Sequence, residues 1–138
     1  MPTPIELQPV AADGLTLSGP AVQLLTNDGT SDTGVTEAPS LVKSDSGEYV
    51  LFFSRNCYSS INYTVSYATA DNVAGPYTRR GDLLLGGDNS AGLAGTGGAD
   101  VLWDGVHMGE FLVIIAAMHA VHEVCGMVLI YLLHNVPR

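Results

Sequence analysis

The sequence has little positive charge: 5 lysine and arginine residues stand against 14 aspartates and glutamates, for a formal net charge of -9 at pH 7. So few cations cannot replace the counterions of a phosphate backbone, which argues against nucleic acid as a partner. Cysteine is scarce too, and whether Cys57 and Cys125 pair is left open by sequence alone. The first residues, Met-Pro-Thr-Pro-Ile-Glu-Leu, have neither a basic segment nor an apolar run, so the chain as written opens on no secretory signal and is expected to stay inside the cell. The glycine-rich stretch 95–100 lacks the Lys-Ser/Thr pair that a phosphate loop needs to engage a nucleotide.

What is present is turn punctuation. Asp13-Gly14, Asn27-Asp28-Gly29, Asp45-Ser46-Gly47 and Gly75-Pro76 separate short apolar segments, a pattern that favours an antiparallel meander. Residues 49–54 are almost unbroken in apolar character, as expected of a strand covered on both faces. Tyr63, Val65 and Tyr67 alternate with smaller or polar residues, which predicts a strand with one better-buried face. With residues 40–43 and 77–85 these make four expected strands. Residues 15–26 are expected to form an outer strand pair of a preceding unit, and residues 98–103 to open a following one.

The tail departs from this pattern. Residues 111–118 and 127–133 are apolar without a Gly or Pro turn, and the expectation is a helix-like tail over 109–138. Such a span approaches the roughly 20 residues of a membrane helix, but Glu123 near its centre would cost about 2.5–3.5 kcal/mol, so the membrane is disfavoured as a partner. On a helix His119, His122 and Glu123 would share one face at metal-compatible spacing. We read them as ordinary surface residues and expect no metal and no cofactor.

Residues 36–42 (Thr-Glu-Ala-Pro-Ser-Leu-Val) place a carboxyl group, Glu37, before an Ala-Pro step and at the start of a strand. Pro39 is expected to hold Ala38 extended, with Val35, Ala38 and Pro39 as apolar neighbours, a setting in which a carboxyl group can serve as a general acid. Downstream come Gly-Glu-Tyr-Val-Leu-Phe-Phe-Ser at 47–54, Asn-Cys-Tyr at 56–58, Tyr-Thr-Val-Ser-Tyr-Ala-Thr at 63–69 and Gly-Pro-Tyr-Thr at 75–78. In that order and spacing these segments resemble the fungal members of glycoside hydrolase family 43.

The resemblance runs from about Thr3 to Met108. It implies an all-β fold, a five-bladed β-propeller, and an enzyme that cleaves arabinose- and xylose-containing plant polysaccharides with inversion. A blade takes roughly 40–45 residues, so the chain holds about two blades, with a propeller domain over 1–108 and a divergent tail over 109–138 that we expect to be a gene-model artefact. Glu37 falls on the family's general acid. The base and the aspartate that tunes the acid belong to earlier blades, and none of Asp13, Asp28, Asp32 or Asp45 is a credible substitute, because all lie in turn contexts. The expected product is therefore incomplete and inactive alone.

Arg55, Asn56 and Tyr58, leaving the central strand, are the candidates for substrate binding. Many family members carry a histidine after the Gly-Thr-Gly, where this sequence has Gly98, so the resemblance carries no ion over to this chain. The family setting is extracellular, and the implied partner is a plant cell-wall oligo- or polysaccharide. The acidic surface suits neutral sugars, and suits plain solubility equally well. The alternative is a non-catalytic carbohydrate-binding remnant or a membrane-tethered truncated product.

Overall fold

The computed structural model describes residues 4–30, 32, 35–82, 95–103, 110–118 and 125–134, with side chains through Val101. The described residues are all-β. Nine strands run in chain order as β1 (Ile5–Leu7), β2 (Val22–Leu25), β3 (Thr36–Lys43), β4 (Tyr49–Arg55), β5 (Thr64–Ala70), β6 (Thr78–Asp82), β7 (Asp100–Trp103), β8 (Glu110–Met118) and β9 (Cys125–His134). They form three antiparallel sheets, ordered β1-β2, β3-β4-β5-β6 and β7-β8-β9.

The middle sheet is the complete blade expected from the turn spacing. Along β4, whose ladder with β5 is unbroken, side chains alternate between two faces. Leu51, Phe53 and Arg55 lie on one face, Val50, Phe52 and Ser54 on the other, and all but Arg55 are buried. Leu51, Phe53 and Ala68 pack with Ile5 and Leu25 of the first sheet, which joins the two sheets through an apolar core. β3 and β7 meet through Ser40, whose hydroxyl donates to Asp100 Oδ1 at 3.0 Å and accepts from the Val101 amide at 3.1 Å. The first strands of successive sheets thus converge, as blades do around a propeller axis.

Three expectations are corrected. The preceding outer pair does not lie within 15–26: β2 pairs with Ile5–Leu7, and the residues between form a loop closed by a Val10–Leu17 bridge. Asp13 holds that loop, accepting from the Leu15 and Thr16 amides, both at 2.9 Å, and these bonds turn local hydrogen bonding inward in place of a strand. β5 is buried on both faces, with Thr64, Val65, Ser66 and Ala68 all inaccessible, because a blade interior has no solvent side. The tail is not helical where it is described. β8 and β9 form a hairpin that extends the ladder from β7, and their Val113, Ile114, Ile115, Val128 and Ile130 are β-branched residues that favour the pleated strand. An unbroken apolar run fits a buried strand and a buried helix equally well by periodicity.

His119, His122 and Glu123 lie outside the described residues. Among the described residues, no helix is long and apolar enough to cross a membrane.

Candidate active site

Glu37 sits on β3 directly opposite Ser54 of β4. The register then slips: the next pair is Ser40 with Phe52, so Ala38 and Pro39 together oppose Phe53 alone. This is a β-bulge, and it bends the strand just after the carboxyl group. Ala38 takes φ 49°, in the left-handed region, and not the extended conformation expected before a proline. A non-glycine residue there costs on the order of 1–3 kcal/mol, strain that the surrounding ladder must hold.

Glu37 is not alone. Tyr63, the residue before β5, brings its phenol near both Glu37 and Ser54, close enough for each to act on its proton. A carboxylate only accepts, so toward Glu37 the phenol can act only as the donor, and the Ser54 hydroxyl is placed to donate to the phenol. Ser54 Oγ accepts from the Gly98 amide at 2.8 Å. The Gly98 amide, Ser54, Tyr63 and Glu37 are thus neighbours in that order, with donors available to run toward the carboxylate. Burial pushes the Tyr63 phenol above its ordinary value, and the Glu37 carboxylate raises it further, while the Ser54 hydrogen bond opposes both.

Gly97 makes room for the ring. A Cβ placed there would lie 2.1 Å from Tyr63 Cε1, well inside contact distance, so only glycine fits beneath the phenol. The glycine-rich stretch is therefore a packing surface for Tyr63. Among the described residues no group of His, Cys, Asp and Glu is arranged to hold a metal.

The other candidates are placed differently. Arg55 follows Ser54 and points to the opposite face, where it pairs with Asp82; the Ser66 hydroxyl donates to the same carboxylate. A cleft of about 200 Å³ on that face is lined by Phe53, Arg55, Ser66, Arg79 and Asp82 among others, so it is separate from Glu37. Asn56 is buried at φ 66°, a conformation asparagine tolerates, and its amide donates to the Asn62 carbonyl at 2.7 Å. It staples the 56–62 loop shut. Tyr58 is 67 % exposed on that loop, free to offer a ring face. Cys57 is a free, exposed thiol 3.1 Å from the Ser59 hydroxyl. The structure thus sets Glu37 with Ser54 and Tyr63 and puts Arg55 on the opposite face.

Asp32 is fully buried and serves the scaffold, as its turn context implied. Arg79 grips both its oxygens, at 2.6 and 3.2 Å, and Thr36, the neighbour of Glu37, donates to it at 3.0 Å. Tyr63, Ser54 and Gly97 were not legible as site residues. Tyr63 was one of several strand aromatics, and nothing local marks a glycine that lies under a ring.

No family model matches the sequence, and no curated protein matches it. Solved structures do. A thermostable family-43 glycoside hydrolase superposes with a TM-score of 0.70 at 27% identity over 83% of this chain. The fold is that of glycoside hydrolase family 43. An endo-1,4-β-xylanase from Bacteroides thetaiotaomicron gives a TM-score of 0.60 at 28% identity over 80% of this chain. An endo-arabinase from the same organism matches the fold over 96% of this chain, with a TM-score of 0.70 and 20% identity. The chain spans 38%, 43% and 46% of those three structures, so it corresponds in fold to part of each.

Proposed function

We propose that these residues belong to an inverting glycosidase of arabinose- and xylose-containing plant polysaccharides, with Glu37 as its general acid. The observation that carries this reading is the place of Glu37, half-buried at a bulge on the strand nearest the next sheet, with the Tyr63 phenol beside it. An inverting enzyme needs a second carboxylate about 6.5–9.5 Å away to activate water on the opposite face of the sugar. Asp13, Asp28, Asp32, Asp82 and Asp100 are each engaged elsewhere, with Thr16, Thr30, Arg79, Arg55 and Ser40 respectively. We assign the base and the tuning aspartate to blades outside this chain. Glu37 protonates the leaving oxygen, the external base takes a proton from water, and Tyr58 offers a ring face to a sugar.

The test is Glu37→Gln in a complete propeller carrying this segment. The variant loses far more rate on natural oligosaccharides than on an aryl glycoside whose leaving group departs as a stable anion. Equal losses on both substrates point to a structural role. A second reading, carbohydrate binding without turnover, is favoured by the exposed Tyr58 ring; retention on arabinoxylan with no hydrolysis in the complete protein would select it.

A further inference from the structure

We infer that Tyr63 is a positioning residue for the acid: its phenol, aimed by the Ser54 hydroxyl and the Gly98 amide and seated on Gly97, fixes which oxygen of Glu37 carries the proton. The inference rests on the reading of Glu37 as the acid and deepens it. The geometry has three independent parts. Ser54 faces Glu37 across the β3–β4 ladder. The Gly98 amide saturates one side of Ser54 Oγ, which leaves its hydrogen to point at the phenol. The ring itself cannot shift toward the 95–98 stretch, where Gly97 already touches it.

The chemical consequence follows from the hydrogen-bond inventory. The phenol donates to one carboxyl oxygen, so that oxygen is occupied and the proton sits on the other. When that proton passes to the leaving oxygen, Glu37 becomes an anion, and a hydrogen bond to an anion is stronger than one to a neutral acid. Tyr63 therefore binds the transition state better than the ground state, which speeds the chemical step. The carboxyl group is held by a donor already aligned, with no reorganisation during reaction.

The experiment has two arms. In the 138-residue chain with ζ-13C-labelled tyrosine, Glu37→Gln lowers the pH at which Tyr63 titrates, since the carboxylate that holds the phenol protonated is gone. A Tyr63 signal unmoved by Glu37→Gln overturns the contact. In the complete propeller, Tyr63→Phe lowers kcat about 10- to 100-fold on natural oligosaccharides, with little change in KM and a smaller loss on the activated aryl glycoside. Ser54→Ala, which keeps the phenol but removes its guide, gives the same substrate dependence at smaller size. If Glu37→Gln shows the leaving-group dependence and Tyr63→Phe loses both substrates equally, positioning is wrong and the acid stands. If Glu37→Gln itself shows no such dependence, the acid reading falls, and this inference with it.

Discussion

Gly97 and Tyr63 are in contact with no space between them: any side chain at 97 would enter the ring, the nearest approach being 2.1 Å. A residue with no side chain thus sets the position of the Tyr63 phenol.

Gly97→Ala should therefore act on activity and stability together. The added methyl forces the Tyr63 ring or the 95–98 backbone to move, and such overpacking costs about 1–3 kcal/mol. Thermal denaturation should show the loss in stability. In the complete propeller, kcat should fall as it does in Tyr63→Phe. An alanine variant with unchanged kcat would separate the ring's seat from the acid.

The 138-residue chain alone should not hydrolyse aryl arabinofuranosides or xylosides. In the proposed reading the base that activates water lies in blades outside this chain, and each half of an inverting pair works poorly without the other. Reducing-sugar or chromophore release by pure chain, abolished in Glu37→Gln, would contradict the assignment of the base to other blades.

Asp32→Asn should destabilise the blade without touching the chemistry. Asp32 is wholly buried, and its loss of charge leaves Arg79, which also stacks over Phe53 at 4.8 Å, with an uncompensated cation. Breaking a buried pair costs about 3–5 kcal/mol; here the cost should be about 2 kcal/mol, because the Arg79 side chain stays 30% exposed to water. A denaturant midpoint equal to that of the parent would show that Asp32 is not a structural anchor.

Stability should fall at alkaline pH. Burial raises the Tyr63 and Tyr77 phenols above the ordinary phenol value of about 10. A raised phenol stays protonated in the folded chain where the unfolded chain has already lost its proton. Its contribution is therefore complete below about pH 10 and is lost as pH rises through the folded value. Denaturant midpoints measured from about pH 9 to about pH 12 should drop, and Tyr63→Phe with Tyr77→Phe should flatten the drop. An unchanged slope in the double variant would assign it to other groups.

Much of this fold was written in local sequence. Turn residues at Asp45-Ser46-Gly47 and Gly75-Pro76 and the apolar run at 49–54 specify four successive strands of one blade, because turn chemistry and strand burial are set by neighbours in the chain. Glu37 was expected just before a strand beginning at residue 40 and lies instead inside β3, because pairing with β4 carries the strand back across the bulge to Thr36. Three things depended on contacts distant in sequence. The apolar tail became a hairpin where described, because β7 offered a ladder edge that no periodicity reveals. Arg55 went to the far face and Ser54 to the acid, a one-residue difference that only the pairing register decides. Tyr63 met Glu37 because a bulge, a strand start and a glycine 34 residues further on converge, a coincidence in space that leaves no mark on the residues separately.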